Sequence, residues 1–354
     1  QWTMNCFACH GGRVLGQPYP GAPNADFELE TLTEEIRQTK LLLGKPFSRM
    51  DVGALVMPLG TTRGTTNAVM FGVSLMAFRD ADLNVRPHRP HPRMTHHDMD
   101  APPWWHFGRK ASIYIDGFAQ KNVRGLMQFM LVREYGPEKF REWEPDFRDV
   151  YAYLESLRAP KYPFLIDDGL ADQGRELFER TCAECHGTYG ETPSYPERRV
   201  PLAELGTDPI RLTALTPRHR RSYHASWFAN YGAEAIVEDP DGYVAPPLDG
   251  IWASAPYLHN GSVPTLWHLL HPRERPEVWR RLGSAYDRQQ LGLVVESVET
   301  DRPGAHGVTS SLSRRDRRRI FDTRVPGKSA AGHDFPDALS DDEKRAVLEY
   351  LKRL

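Results

Sequence analysis

The stretch NCFACH at residues 5–10 is repeated in outline by TCAECH at residues 181–186, and together they contain all four cysteines of the chain. In each stretch, two thiols three residues apart are followed directly by a histidine. This spacing lets both thiols form thioethers to one haem while the histidine supplies the proximal nitrogen to its iron. Half of a zinc site or a redox dithiol would need no such histidine. The motifs therefore predict two covalently bound haem c groups, attached at Cys6, Cys9, Cys182 and Cys185, with His10 and His186 as proximal ligands.

Length and composition describe a chain large enough for two domains. Of its 354 residues, 40% are apolar and 26% are charged, and the formal net charge is −2. A nearly neutral chain argues against nucleic acid as a main partner, and no apolar run reaches the roughly 20 residues of a membrane span. Because haem is attached to this motif outside the cytoplasm, we expect a periplasmic or cell-surface protein. No signal peptide precedes Cys6, so we expect a processed or trimmed start.

The segments that surround the two motifs also repeat. Residues 169–181 predict an amphipathic helix before the second motif, and residues 340–353 predict a closing helix with Ser340 as its N-cap. Residues 147–160 match that closing helix and end at a proline. A haem-bearing helix with a closing helix is similar to the class I cytochrome c domain, in which the first and last helices cross. We therefore predict a mainly α fold of two tandem class I cytochrome c-like domains with long irregular insertions.

The predicted domain boundary falls in the proline-containing stretch that separates the two halves. It assigns residues 1–160 to a domain with haem 1, residues 161–168 to a linker, and residues 169–354 to a domain with haem 2. The basic run SRRDRRR at residues 313–319 is predicted to be a solvated helix face rather than a docking site.

The second axial ligand decides what a haem iron can do. The last methionine of the chain is Met130, so the second half contains no methionine that could bind its own iron. In the class I domain this ligand comes from the loop before the closing helix, and here that loop, residues 326–339, holds His333. We predict that His186 and His333 bind one iron. The alternative is that His333 stabilises the loop while another histidine binds.

The same comparison does not identify the second axial ligand of the first haem. The position equivalent to His333 is Gly136, which offers no ligand, although Tyr135, Met127 and Met130 lie near it in the sequence. Both methionines also fit a buried apolar helix. Haem 1 is therefore five-coordinate, or is ligated by a methionine or a tyrosine.

The stretch PPLDGIWASAPYLHNGSVPTLWHLL at residues 246–270 resembles the bacterial di-haem cytochrome c peroxidase superfamily. Its LHNGSVPTL portion is most similar to the rubber oxygenase-like branch. Residues 62–72, residues 100–107 and the Gly-His-Asp-Phe loop that contains His333 strengthen the similarity. The resemblance implies a di-haem fold in which electrons pass between the two haems of one chain.

The resemblance also implies roles for individual residues near the haems. His333 matches the distal histidine of the second haem in the rubber oxygenase branch, in agreement with the loop argument. His259 matches a histidine that lies near a haem edge and does not bind iron. Trp104 and Trp105 match aromatic residues near the first haem and between the haems, although core packing would explain them equally well.

A calcium ion between the haems is a further implication of the resemblance. Asn67 and the backbone around Ser254 and Pro256 match positions that hold this ion in the peroxidases, and oxygen ligands suit it. Other features depart from the family. The chain is much shorter than a rubber oxygenase, and no histidine lies between His10 and His88 to match the switchable distal ligand of the peroxidases.

We expect an extracytoplasmic di-haem cytochrome c that transfers electrons between redox partners, alone or within a larger complex. The alternative is an enzyme, a di-haem peroxidase or oxygenase, in which haem 1 reacts with O₂ or peroxide as a small-molecule oxidant. The sequence identifies no catalytic acid or base, and both enzymatic activities rest on analogy with the family.

Overall fold

The computed structural model describes residues 5–56, 59–90, 92–132, 134–300 and 312–354. Within these ranges the α-helices are α1 (Phe7–His10), α2 (Leu29–Leu42), α3 (Arg49–Gly53), α4 (Ala68–Ala77), α5 (Val123–Met127), α6 (Pro137–Ser156), α7 (Asp168–Thr181), α8 (Ala183–His186), α9 (Leu202–Leu205), α10 (Ile210–Ala214), α11 (Pro217–His224), α12 (Leu266–Leu270), α13 (Arg314–Arg317) and α14 (Asp341–Leu351). The strands are β1 (Arg13–Val14), β2 (Gln17–Pro18), β3 (Thr65–Thr66), β4 (Met99–Asp100), β5 (Ser112–Ile113), β6 (Ala119–Gln120), β7 (Arg199–Pro201), β8 (Gly242–Val244), β9 (Val278–Asp287), β10 (Gly292–Ser297) and β11 (Ile320–Asp322). None of the helices in these ranges is both long enough and apolar enough to cross a membrane.

The fold class predicted from the sequence is wrong. The structure is 41% helical and 14% strand, with several small antiparallel sheets, so it is mixed α and β rather than mainly α with tandem cytochrome domains. The largest sheet places β9 between β10 and β11, and the shorter strands form two-stranded pairs. In the largest sheet, Trp279 stacks on Phe321 with ring centroids 5.1 Å apart. Cross-strand contacts of this kind stabilise strands through partners distant in sequence, so no helical period reveals them.

The two helices predicted around the second motif are present and cross in contact. Gly174 of α7 lies so close to α14 that a Cβ atom there would be 1.9 Å from the carbonyl oxygen of Ala346. Beside this crossing, the rings of Phe178 and Tyr350 have centroids 5.4 Å apart. Ser340 caps α14 in a capping box, as its sequence predicts. This helix pair is the element of the class I resemblance that the structure contains.

The closing helix of the first half differs from the prediction. Helix α6 begins at Pro137, ten residues earlier than expected, and ends at Ser156. It packs against α5 and against a 3₁₀ helix at Trp104–Arg109, where Phe107 and Tyr151 have ring centroids 5.1 Å apart. Its partner is therefore the segment after β4, not a helix equivalent to α7.

One apolar cluster joins the two predicted halves. It contains Phe118, Met127 and Phe140 from the first half and Tyr223 and Phe228 from the second. Met127 is fully buried in it. The domain boundaries stay a prediction, and the shared core shows that residues on both sides of residue 160 pack together.

The basic run near α13 lies against the acidic helix α2. Arg318 pairs with Glu34 at 2.7 Å and Arg319 pairs with Glu28 at 3.0 Å. The prediction of a solvated face is wrong for Arg318, whose side chain is only 16% exposed, whereas Arg314 remains 75% exposed. The sequence did not show this contact because the two charged segments are almost 300 residues apart.

Candidate haem-binding sites

The second motif lies directly after α7, in α8, and its backbone turn is tight. The His186 amide donates to the Cys182 carbonyl oxygen at 3.0 Å. The ring of His186 has its Nδ1 2.8 Å from the carbonyl oxygen of Pro246. Because a carbonyl oxygen only accepts, Nδ1 carries the proton and donates it. The lone pair of Nε2 is then free to bind a metal.

His333 lies beside His186, where the sequence predicts a second ligand. The two ring centroids are 6.2 Å apart, with 61° between the planes. The backbone of His333 is left-handed (φ 55°) and is held by its amide, which donates to the Leu205 carbonyl oxygen at 2.8 Å. Burial lowers the pKa of His333 to about 3, which keeps the ring neutral. A neutral imidazole is the form that binds a metal.

The first motif holds its histidine in the same way. His10 lies at the end of α1, and its Nδ1 donates to the carbonyl oxygen of Pro102 at 3.1 Å. Burial lowers the pKa of His10 to about 4. The ring of Trp104 stacks on the His10 ring with centroids 4.7 Å apart and 22° between the planes. A tryptophan therefore covers this imidazole, whereas at the second motif the neighbouring ring is a second histidine.

The two proline carbonyls belong to a repeat that the sequence interpretation missed. Ala-Pro-Pro occurs at residues 101–103 and again at residues 245–247. In each copy the first proline accepts the hydrogen bond of one motif histidine. The two Ala-Pro-Pro copies are 144 residues apart, whereas the two haem motifs are 176 residues apart. Because the two spacings differ, the copies do not align when the two halves of the sequence are superimposed on their motifs.

The surroundings of the four cysteines do not suit a redox dithiol. Burial raises the pKa of every one of these thiols, and that of Cys9 to about 11. Redox-active Cys-x-x-Cys pairs need a lowered pKa in order to supply a thiolate. The structure thus favours haem attachment over the dithiol alternative.

Trp104 and Trp105 begin a chain of contacts that links the two motif histidines. Trp104 stacks on His10, and Nε1 of the adjacent Trp105 donates to the Asp249 carbonyl oxygen at 2.7 Å. One residue earlier, the Leu248 amide donates to the Tyr189 hydroxyl at 2.6 Å, and that hydroxyl donates to the His186 carbonyl oxygen at 3.1 Å. Trp105 is buried, so it contributes both to packing and to this connection.

His259 lies at the junction of the two halves. Its ring packs on Tyr243 with centroids 4.6 Å apart, and its carbonyl oxygen accepts from the Asp100 amide at 2.9 Å. Its place near a haem edge stays a prediction.

The residues expected to hold calcium are buried but are not joined to one another. Asn67 is 2% exposed, and both polar atoms of its amide lack a hydrogen-bond partner. Ser254 is also buried, and its hydroxyl donates to the Gly250 carbonyl oxygen at 3.2 Å. Among the described residues, Asn67 therefore forms no hydrogen bond with Ser254 or Pro256. Its free amide oxygen nevertheless suits a hard cation.

Residues 242–280 match the model of a protein family described as RoxA-like, cytochrome c-like. The matched segment contains Pro246, which holds His186, together with His259, Ser254 and Pro256. The chain carries a RoxA-like cytochrome c segment. This match supports a relationship with RoxA-related cytochromes and indicates a cytochrome c-type haem protein with covalently bound haem c.

Two curated proteins of Sinorhizobium fredii (strain NBRC 101917 / NGR234) are similar to the chain over more than half of its length. "Uncharacterized protein y4iM" is 31% identical over 246 residues, which cover 57% of this chain and 52% of that protein. "Uncharacterized protein y4iJ" is 30% identical over 264 residues, which cover 56% of this chain and 41% of that protein. The chain thus spans about half the length, or less, of the relatives that it matches.

Proposed function

We propose that the chain is an extracytoplasmic di-haem cytochrome c that transfers electrons between redox partners. The observation that carries the proposal is the pairing of His186 with His333. Two imidazoles on opposite sides of one metal, each bound at about 2.0–2.1 Å, have ring centroids roughly 6 Å apart. The ring centroids of His186 and His333 are 6.2 Å apart, which fits that arrangement. A six-coordinate iron suits electron transfer because it needs no exchange of ligands.

Haem supplies one-electron chemistry at the iron, and the side chains around it set its potential. Cys182 and Cys185 would attach the group of the second motif, and Cys6 and Cys9 that of the first. The carbonyl of Pro246 orients the proximal imidazole and increases its basicity through the Nδ1 hydrogen bond. Because burial keeps His333 neutral, its ring needs no deprotonation before it binds.

The contacts between the motif histidines support electron transfer between two sites within one chain. Trp104, Trp105 and Tyr189 provide aromatic side chains along the connection, and short hydrogen bonds join Trp105 and Tyr189 to the loop at residues 246–249. The proposal therefore includes two haems, one at each motif, with electrons passing through this connection.

The proposed location and partners follow from the attachment chemistry. Thioether haem is attached outside the cytoplasm, which supports a periplasmic or cell-surface site. A carrier with two haems needs a donor and an acceptor, so we propose a redox protein partner or a larger electron-transfer complex.

Low-temperature EPR of the ferric protein, combined with pyridine haemochrome analysis, tests the proposal. We expect two covalent haems per chain and a low-spin signal from the haem of the second motif. One covalent haem per chain, or an iron of the second motif that is entirely high-spin, would contradict it.

A second candidate is a di-haem peroxidase or oxygenase that reacts at haem 1. The asymmetry between the motifs favours it. Among the described residues, the ring contacts of His10 are Pro102 and Trp104, and neither offers a ligand for the far side of an iron. Met127 and Tyr135 instead pack in the shared apolar cluster. A high-spin signal from haem 1 that cyanide converts to low-spin, together with turnover of peroxide or O₂, would support the enzyme.

We also propose a bound calcium ion at Asn67, with the carbonyl groups near Ser254 and Pro256. The free amide of Asn67 supports it. Removal of calcium by EGTA should destabilise the wild type and leave Asn67→Ala unchanged. Equal behaviour of the two proteins would exclude the site.

A further inference from the structure

Arg211 in α10 is a buried side chain with unused hydrogen-bonding capacity. It is only 1% exposed, and its Nη1 lies 3.3 Å from Oδ2 of Asp116. Its Nε and Nη2 are buried without any hydrogen-bond partner. These two atoms form the side of the guanidinium that grips a carboxylate with two parallel hydrogen bonds.

The acceptors near Arg211 do not satisfy its free side: Oδ1 of Asp116 is buried without a hydrogen-bond partner and forms no bond with Nε or Nη2 of Arg211. Oδ2 of Asp116 is shared with a second buried arginine, Arg220, at 2.8 Å. The two oxygens of Asp208 accept from the backbone amides of Ile210, Gly327 and Ser329. A buried guanidinium with two unpaired N–H groups is costly, so a further acceptor is expected at this place.

The two histidines on which the charge of Arg211 acts are neutral. Burial first, and then the positive charge of Arg211, lower the pKa of His97 to about 4 and that of His259 to about 3. Tyr243 packs on His259 and accepts at its hydroxyl from the Leu212 amide. Since these groups carry no negative charge, none of them balances the guanidinium.

The backbone connects this place to both ligands of the second haem. Gly206 touches Gly332, because a Cβ atom on Gly206 would lie 3.3 Å from the Cα atom of Gly332, next to His333. The following residue, Thr207, has a buried hydroxyl without a partner. On the proximal side, Tyr243 lies three residues before Pro246, which holds His186. Arg211 therefore follows, within one short segment, the residue that contacts Gly332, and its charge acts on Tyr243, which lies shortly before Pro246.

We propose that Arg211 is a carboxylate receptor, and that its Nε and Nη2 donate to a propionate of the haem attached at Cys182 and Cys185. This inference rests on the proposed di-haem function, because the carboxylate belongs to the haem. Arg211 then acts as a positioning residue: it fixes the orientation of the haem and neutralises a charge that would otherwise stabilise ferric iron. The hydroxyl of Thr207 is the second donor available to the same carboxylate.

The test compares Arg211→Gln, Arg211→Lys and Arg220→Gln in the full-length holoprotein. Arg220→Gln is the matched control, because it also removes a buried arginine from Asp116, while both Nη atoms of Arg220 have partners within the protein. Resonance Raman spectra report hydrogen bonding to the propionates through their bending band. An EPR-monitored redox titration reports the midpoint of the low-spin bis-histidine haem separately from that of haem 1.

Arg211→Gln should shift the propionate band and lower the midpoint of the second haem. At a fixed potential we expect the ferrous-to-ferric ratio of that haem to fall about tenfold, which corresponds to about 59 mV for one electron. Arg211→Lys should keep the midpoint potential of the second haem close to that of the wild type, because lysine keeps the positive charge. It should still shift the propionate band, because an ammonium group cannot form the two parallel hydrogen bonds of a guanidinium. Arg220→Gln should leave the band unchanged. If Arg211→Gln does not fold, the propionate band of Arg211→Lys alone tests whether Arg211 binds the propionate.

Other results would overturn the inference. An unchanged band in Arg211→Gln and Arg211→Lys would mean that no propionate binds there. A change confined to haem 1 would exclude the second haem as the source. A free carboxylate would be the occupant of the Arg211 site if two results came together. The midpoint potential of the wild type would depend on added acetate, and Arg211→Gln would leave the propionate band unchanged. A wild type without two covalent haems would instead refute the proposed function itself, before any variant is compared.

Discussion

The two motif regions hold their histidines in the same way but differ in the aromatic ring beside each histidine. Each histidine is held by the first proline of an Ala-Pro-Pro segment, at 3.1 Å for His10 and 2.8 Å for His186. Beside His186 lies the imidazole of His333, whereas the neighbour of His10 is the indole of Trp104. The motif and its proline carbonyl thus recur as one unit. Trp104 directly follows the Ala-Pro-Pro segment of the first motif, whereas His333 belongs to a separate loop before α14. The function proposed for each motif depends on this difference.

The largest expected effect concerns haem attachment. Cys182→Ala with Cys185→Ala should remove one haem per chain, and Cys6→Ala with Cys9→Ala should remove the other, because both thioethers of a haem come from one motif. Pyridine haemochrome absorbance of the purified proteins should fall by half in each case. The two double variants serve as controls for each other, and two covalent haems in either variant would refute the motif prediction.

Replacement of His333 should affect only the second haem. His333→Gly opens the site opposite His186, so that iron should lose its low-spin EPR signal and bind cyanide or CO. His333→Met should raise its midpoint potential, because a thioether stabilises ferrous iron relative to imidazole.

His259→Gly is the matched control, since the ring of His259 packs on Tyr243 and not on His186. It should keep the low-spin signal. If the second haem of His333→Gly stays low-spin and keeps its midpoint potential, His333 is not a ligand of its iron. The proposed difference in ligation between the two sites would then be refuted.

The contact between α7 and α14, which has no counterpart at the first motif among the described residues, gives a stability test. Gly174→Ala would place a Cβ atom 1.9 Å from the Ala346 carbonyl oxygen, so α7 and α14 must separate. We expect a loss of about 1–3 kcal/mol in the free energy of unfolding, as for other overpacked sites.

Gly169→Ala in the same helix is the control, because its Cβ atom would meet only Oδ1 of Asp167 at 3.6 Å. Alanine should there be neutral or stabilising by up to about 1 kcal/mol. Urea denaturation measures both variants, and equal stability of the two would show that the helices do not cross this closely.

The smallest expected effect tests the contact between α2 of the first half and the basic run near α13. Although burial opposes ionisation, hydrogen bonds from Arg318 and Arg314 lower the pKa of Glu34. A lowered pKa in the folded state stabilises the protein above the unfolded pKa of about 4.3, and this contribution is lost as the pH falls through the folded value. Arg318→Ala should therefore cost about 0.2–1 kcal/mol at pH 7 and less near pH 4.

Arg314→Ala is the matched control, since the Arg314 side chain is 75% exposed and should contribute little. Urea titrations at pH 7 and pH 4, each at low and high salt, measure both variants. A cost for Arg318→Ala that is independent of both pH and salt would point to packing of the arginine stem rather than to its charge.

The sequence by itself determined the parts that depend on short spacing. The motif cysteines and histidines, the helices at Asp168–Thr181 and Asp341–Leu351, and the capping of α14 by Ser340 all follow from patterns within a few residues. Because no methionine follows Met130, the sequence predicted His333 as the partner of His186, and the structure places that residue beside His186. Its role as an iron ligand stays a prediction.

Only the tertiary structure decided the features that join distant segments. Strands β9 and β10 form a hairpin, and β11 pairs with β9 from about 40 residues further along the chain; this sheet contributes to overturning the mainly α prediction. The Pro102 and Pro246 carbonyls, the stacking of Trp104 on His10 and the buried Arg211 also depend on contacts between residues 60 or more positions apart. A local pattern reports the conformation of its own segment, whereas burial and unpaired hydrogen-bond donors exist only once separate segments pack together.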